Sequence, residues 1–341
     1  PVMEYFDLTT SHYQQVEERP GITELAAIKR ARGTVKTNSG ASLVDMGDGV
    51  ACVEFHSKAN TLGDDSGAIL AEALDQAGSR FQAIVIGNQG EHFSAGANLM
   101  LVLLAAQEGD WDELNLAVER FQQANMAIKS APVPVVAAPF GRTFGGGAEV
   151  ALHATRMQAS AELYMGLVEV GVGVIPAGGG CKEMLLRCGD PLKAFELIGY
   201  AKVSGSADEA RALQLLAAGD GITLNPERLI ADAKAQALAL VNSYQPRQPR
   251  TDIRVGGNAV YATMKLGAWM AHQGGYISDY DLVIAEKLAH ILSGGRGSGE
   301  RTVSEQHLLD LEREAFLSLC GNAKTQERMQ YRLKTGKPLR N

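Results

Sequence analysis

The run Phe81–Gly87 (FQAIVIG) constrains this chain more than any other stretch. A strand with apolar side chains on both faces has to be covered on both faces, and helices are the usual cover. The neighbouring sequence supplies them. Val50–His56 alternates as a strand, and Asp64–Gly78 places Ile69, Leu70, Ala73 and Leu74 at helical spacing behind two aspartates suited to a helix start. Further on, helices are predicted over 99–107 and 111–130, a strand over Val133–Pro139, and a helix over Gly146–Ala154. A strand over Arg156–Ala161 and a helix over Gly180–Cys188 complete the series. Strands and helices alternating through short turns indicate an α/β unit with a largely parallel sheet.

From about residue 190 the strand signals fade. Asn225-Pro226-Glu227 is a strong helix start, with Asn as cap and Pro at the first position. Asp279–Ser293 (Leu282, Val283, Leu288, Ile291, Leu292) and Ser304–Cys320 (Leu308, Leu311, Phe316, Leu319) carry apolar residues at helical spacing, so the last third is expected to be helical. At the other end, residues 1–40 are polar and weakly periodic. Ile22–Ala31 is their best helix candidate, and Gly33, Asn38 and Gly40 read as linker. An opening on Pro1 suggests a piece of a longer polypeptide or a trimmed chain.

Charge and composition narrow the function. A formal charge of −7 argues against general nucleic-acid binding, which calls for a basic surface. The four cysteines (Cys52, Cys181, Cys188, Cys320) show no CxxC pairing and no zinc-type spacing with histidine, and read as structural thiols in a reducing compartment. No metal is expected. No apolar stretch approaches the ~18 residues that span a bilayer, and no signal segment opens the chain, so the expectation is a cytoplasmic, soluble protein. Ser94 and Cys181 lack a base at recognisable spacing, and no HExxH appears; a serine hydrolase or metalloenzyme is therefore disfavoured.

Two glycine turns carry the chemistry. Phe93-Ser94-Ala95-Gly96-Ala97-Asn98 and Phe144-Gly145-Gly146-Gly147-Ala148-Glu149 each follow a strand and open a helix. A helix N-terminus leaves backbone N–H groups unpaired and favours negative charge, and consecutive glycines let a ligand approach those amides. Converging, the two turns would give a pair of donors for one developing oxyanion. Each alone is equally consistent with a tight turn packing a helix on a strand.

Glu149 lies in a first helical turn, where the dipole welcomes a carboxylate whatever its function. Glu169 is more informative. If Leu167–Val174 (LVEVGVGV) is extended, Val168, Val170, Val172 and Val174 share one face, and Glu169 shares the other with Gly171 and Gly173, beside empty volume. A carboxylate in that setting needs a partner, solvent or a raised pKa; the bland alternative is an exposed strand face. Gly171-Val172-Gly173 lacks the third glycine of a dinucleotide fingerprint, since position 176 is Pro.

FSAGANL at 93–99, GGGAE at 145–149 and MGLVEVGVGVIPAGGG at 165–180 together resemble the three core motifs of the crotonase (enoyl-CoA hydratase/isomerase) superfamily over roughly 42–220. Ser57–Leu62 resembles its first CoA-contacting segment. Including LEREAF at 311–316 and GKPLRN at 336–341, the chain is similar to the C-terminal hydratase-like region of bacterial bifunctional 3-hydroxyacyl-CoA dehydrogenases. The resemblance implies a crotonase-like ββα spiral core over 41–220, a helical C-terminal region over 221–341, and a linker or dehydrogenase tail over 1–40.

It further implies an enoyl-CoA hydratase, a lyase of fatty-acid β-oxidation. The backbone N–H groups of Ala97 and Gly146 would form the oxyanion hole, with Glu149 and Glu169 as the catalytic carboxylates. CoA would lie along Lys58, Ala59, Asn60, Ala95, Gly96 and Asn98, with Lys58 near the phosphates. No cofactor is expected in this chain, NAD belonging to a preceding domain of the parent protein. The expected partners are the acyl-CoA thioester and a second copy or the rest of a bifunctional polypeptide. Asn98 stands where Asp is usual and Ala148 where Cys is common, which puts in doubt any loop contact needing a carboxylate. The rival readings are an enoyl-CoA isomerase or other crotonase-type thioester enzyme, and a non-catalytic CoA-binding or docking module.

Overall fold

A computed structural model of the chain describes residues 4–15 and 21–341. Its centre is a seven-stranded sheet ordered Gly221–Thr223, Arg156–Ser160, Val135–Ala137, Ala83–Gly87, Val50–Phe55, Ala41–Asp45, Lys36–Thr37. The strands from Gly221–Thr223 to Val50–Phe55 run parallel, and the other two pairings are antiparallel. The apolar run becomes the fully buried Ala83–Gly87, and its alternation divides two cores. Ile84 and Ile86 face a large cluster with Ile69 and Leu70 of helix Asp64–Asp75, and Leu114, Val118 and Ile128 of helix Trp111–Lys129. Ala83 and Val85 face a smaller one built from Leu229, Ile230, Ala233 and Ala237 of helix Leu229–Leu240, with Leu25 of helix Leu25–Arg32. The second cover thus joins a helix that precedes the sheet's strands in sequence to one that follows them. A buried apolar side chain contributes about 1.5–3 kcal/mol, so each of these helices is anchored by its inner stripe.

A two-stranded parallel sheet sets up the site. Gly141–Phe144 pairs with Leu163–Gly166, with Phe144 level with Gly166. The Gly145 N–H then donates to the Gly166 carbonyl at 3.0 Å, so the two chains leave this sheet side by side. One continues into helix Gly146–His153 and the other into the segment bearing Glu169.

That segment corrects an expectation. Leu167–Val174 is not extended: Glu169–Val172 is a 3₁₀ turn, ended by Gly173 at φ +89°. Only Gly171 borders open space. A β-carbon on Gly173 would stand 2.9 Å from Thr325 Cα, so helix Ala323–Thr335 packs directly against it. The valines are not a strand face, because tertiary packing against that distant helix overrides their β propensity.

The C-terminal region is helical: Gly257–Gln273, Asp279–Leu292, Glu305–Cys320 and Ala323–Thr335, with a small antiparallel pair Ile253–Val255 and Arg301–Val303. Asn225 caps as read, accepting the Glu227 N–H at 3.1 Å, though the turn it opens is a 3₁₀ turn preceding Leu229–Leu240. Residues 4–15 form a hairpin. Among the described residues no helix is long and apolar enough to cross a membrane.

Candidate active site

The Phe93–Asn98 turn is held from three sides. Ser94 Oγ donates to the Asn60 carbonyl (2.7 Å) and accepts the Gly96 N–H (3.1 Å), while the Ala95 N–H donates to the Ala59 carbonyl (3.1 Å). Leu62 and Asn98 close the pairing through Leu62 N–H to Gly96 O and Asn98 N–H to Leu62 O. Ala59 and Asn60 both take positive φ, +55° and +50°, a conformation costly for residues with a β-carbon and found where surroundings over-determine it. The second glycine turn is fixed to the first by Phe144 N–H to Ser94 O at 3.0 Å.

This brings two amides together. A β-carbon on Gly146 would lie 3.3 Å from Ala97 N, and one on Gly96 would lie 3.2 Å from Gly146 N. Among the described residues, neither the Ala97 nor the Gly146 N–H has an acceptor within the chain. The arrangement is a donor pair open to an incoming oxygen.

Two carboxylates flank it. Glu149, in the first turn of Gly146–His153 and buried, accepts the Gly178 and Gly180 N–H groups on Oε1, both at 2.8 Å. Burial pushes its carboxyl up to about 7 against the pull of those two amides and Lys182. Glu169 Oε1 would be 3.2 Å from a β-carbon on Gly145, and its Oε2 is buried without a partner. Burial, and then the negative charge of Glu149, drive the Glu169 carboxyl well above the carboxylate range. Two carboxyls raised side by side in this way titrate as a coupled pair.

Beneath them lies a layer of charge that sequence reasoning missed. Lys182 is fully buried, with Nζ bonded to Glu183 and, at 2.9 Å, to Glu305; Lys129 Nζ meets the same two carboxylates at 2.7 and 3.0 Å. His153 joins this layer to the site: Nδ1 lies 2.7 Å from the Glu149 carbonyl and Nε2 3.1 Å from Lys182 Nζ. Lys182 has only protons to offer, so Nε2 accepts and Nδ1 carries the hydrogen. Burial and then Lys182 push the imidazole down to about 3, keeping it neutral.

A third carboxylate touches the turn that holds Glu149. Glu312, fully buried on helix Glu305–Cys320, accepts Gly179 N–H on Oε2 (2.8 Å) and Lys182 N–H on Oε1 (2.7 Å). The opposite side of the turn is fastened by helix Trp111–Lys129, whose Gln122 and Asn125 donate to the carbonyls of Ala177 and Gly178. A signal was present: Glu305, Leu308, Leu309, Glu312, Phe316 and Leu319 share one helical stripe, and a glutamate amid apolar stripe residues announces a buried partner.

The other candidates occupy the rim. Lys58, Ala59, Ala95 and Ala97 are exposed, while Asn60 and Gly96 are buried. Asn98 caps helix Leu99–Glu108 by accepting the Met100 N–H at 3.2 Å, a role Asn fills as well as Asp. Ser94 is spent on the turn, and burial raises the Cys181 thiol far above the thiolate range, so neither is an activated nucleophile. Gly171-Val172-Gly173, folded as a 3₁₀ turn against Thr325, has no dinucleotide geometry.

The family model "Enoyl-CoA hydratase/isomerase" matches residues 45–212. A "Probable 3-hydroxyacyl-CoA dehydrogenase" of Bacillus subtilis strain 168 is 45% identical over 99% of this chain, which spans 44% of that relative's length. A "Probable enoyl-CoA hydratase" of the same organism is 33% identical over 48% of this chain and 69% of its own length. The crystal structure of an enoyl-CoA hydratase from Bacillus halodurans has the same fold at a TM-score of 0.61 and 19% identity, covering 86% of this chain and 99% of that one.

Proposed function

Because the chain belongs to the enoyl-CoA hydratase/isomerase family, we propose that it adds water across the 2,3 double bond of an acyl-CoA thioester. The observation that carries this reading is the pair of carboxylates, those of buried Glu149 and half-buried Glu169 with its Oε2 shielded, beside the unpaired Ala97 and Gly146 amides. In this reading the thioester oxygen accepts both N–H groups, each donor stabilising the enolate by roughly 3–4 kcal/mol. Water bonds through oxygen to C3 as its proton passes to Glu149. The π electrons of the C2–C3 bond move towards C2 and the thioester oxygen. Protonated Glu169 then delivers its proton to C2. The cycle leaves the proton on Glu149, and exchange with solvent resets the pair.

The carboxyl of Glu149 near 7 suits a general base, and that of Glu169, pushed well above the usual carboxylate range by burial and by Glu149, suits a general acid. The presence of both carboxylates favours hydration over isomerisation, for which the family resemblance implies chiefly the one at the Glu169 position. The exposed Lys58, Ala59 and Ala95, with Asn60, Gly96 and Asn98 behind them, are proposed to seat the CoA arm, Lys58 towards its phosphates.

A 3-hydroxyacyl-CoA product is the substrate class named for the dehydrogenase relative. The reading therefore extends to the hydratase part of a bifunctional polypeptide of cytoplasmic fatty-acid β-oxidation, with NAD in its dehydrogenase part. The exposed stripe Leu266, Trp269 and Met270 on helix Gly257–Gln273 supports a further partner surface, for a second copy or for the rest of that polypeptide. Incubation with crotonoyl-CoA, following loss of the conjugated-thioester absorbance, tests the activity. Hydration is expected; a folded chain that only isomerises a 3-enoyl-CoA overturns it.

A further inference from the structure

The Gly178–Lys182 turn gives four backbone N–H groups to two carboxylates in an interleaved order. Gly178 and Gly180 donate to Glu149 Oε1; Gly179 and Lys182 donate to Glu312. Glu312 comes from 133 residues beyond Gly179, on helix Glu305–Cys320. The same helix also grips the Lys182 side chain, through Glu305 Oε2 and Nζ at 2.9 Å, two helical turns from Glu312. The turn is thus fixed by main chain and side chain from one rigid element, and a β-carbon on Gly180 would lie 2.8 Å from Glu149 Oε1. No slack remains between the helix and the Glu149 carboxylate.

We propose that Glu312 is a positioning residue for Glu149: by fastening alternate amides of the turn it aims the other two at Glu149 Oε1, leaving Oε2 for the water. The C-terminal region is then part of the catalytic apparatus. This rests on the reading of Glu149 as the general base. The charged and titratable groups around Glu312 are Glu149, Glu169, Cys181 and Lys182, with Glu183, Glu305, Lys129 and His153 behind them. Burial and Glu149 push the Glu312 carboxyl well up, while the two amides and Lys182 pull the other way.

The test is a cycle of Glu312→Gln, Glu149→Gln and the double variant, assayed with crotonoyl-CoA. Gln at 312 keeps one acceptor but turns an NH₂ towards the second amide. For Glu312→Gln, kcat is expected to fall ~10- to 100-fold with KM within about twofold, because a group displaced by a fraction of an ångström loses alignment. In the Glu149→Gln background the same change is expected to cost less than about twofold, since the two act through one another. A folded Glu312→Gln with kcat within twofold of wild type overturns the proposal, as does an equal loss in both backgrounds. Glu312→Asp, with the carboxyl kept and its reach shortened, gives the same readout where Gln does not fold. Amide hydrogen exchange on the unaltered chain needs no variant: Gly178, Gly179, Gly180 and Lys182 are expected to exchange as slowly as Ala83–Gly87, and exchange within seconds overturns the fastening. A wild-type chain that binds crotonoyl-CoA without hydrating it speaks against the hydratase reading alone, leaving the exchange result to judge the turn.

Discussion

Two buried charged clusters meet at the Gly178–Lys182 turn, and they are neutralised in different ways. In the lower one, Lys129 and Lys182 face Glu183 and Glu305, two cations on two carboxylates with every pairing at hydrogen-bond distance. Burial alone would push Glu183 up, but the Lys182 and Lys129 ammonium groups outweigh it and hold the group far below the ordinary range. In the upper one, Glu149 and Glu312 are bonded only to backbone amides, and Glu169 Oε2 has no partner. All three carboxyls are driven upward by burial. Matched ions stay charged and tie helices together. Carboxylates compensated by partial dipoles remain close to exchanging a proton, which is what general acid–base chemistry requires.

The contrast can be broken by substitution. Glu149→Gln and Glu169→Gln are each expected to lower kcat for crotonoyl-CoA by ~10²-fold or more while CoA-ester binding persists; steady-state kinetics with a binding titration checks this, and unchanged residual turnover in both would favour a docking module. In the lower cluster, Lys182→Met strands Glu183 and Glu305 with Lys129 alone. Urea denaturation at neutral pH is expected to show a loss of about 3–5 kcal/mol.

The same measurement on Glu149→Gln should move the other way. A folded-state carboxyl raised to about 7 from 4.5 binds its proton more tightly than the unfolded chain does. Its ionisation therefore destabilises the fold fully above pH 7, and the penalty disappears as pH falls through 7 towards 4.5. Gln offers one oxygen to the same two amides, so the variant is expected to be more stable than wild type by about 1–3 kcal/mol at pH 8, with the gain shrinking at pH 5. A loss of stability at pH 8 would show that Glu149 is as well matched as the lower ions. Last, wild-type kcat/KM is expected to drop on the acid side of about pH 7, roughly tenfold per unit, as Glu149 takes up its proton. A flat profile from 5 to 8 removes Glu149 as the base.

Periodicity located the helices over 64–78, 111–130, 180–188, 279–293 and 304–320 and the strands at 50–56 and 81–87 to within a few residues, because each buries a continuous stripe or face. Both glycine turns were legible for a local reason: unpaired amides at a helix start depend only on neighbours in sequence. The Leu167–Val174 segment was misread because its valines favour a strand while Thr325, far along the chain, dictates a turn. Glu312, Lys182 and His153 were overlooked since their partners lie on other elements, although the two glutamates on an apolar helical stripe gave warning.

By itself the sequence determined that this chain builds an α/β core with helices on both faces and two amide-rich turns at helix starts, with Glu149 in the first turn of one of them. Those features follow from periodicity and backbone chemistry, which act over a few residues. Only the tertiary structure decided that Ala97 and Gly146 come together, that burial pushes the carboxyls of Glu149 and Glu169 upward, and that a C-terminal helix holds the turn that grips Glu149. Convergence and desolvation are properties of what is packed around a group, and no local stretch of sequence records them.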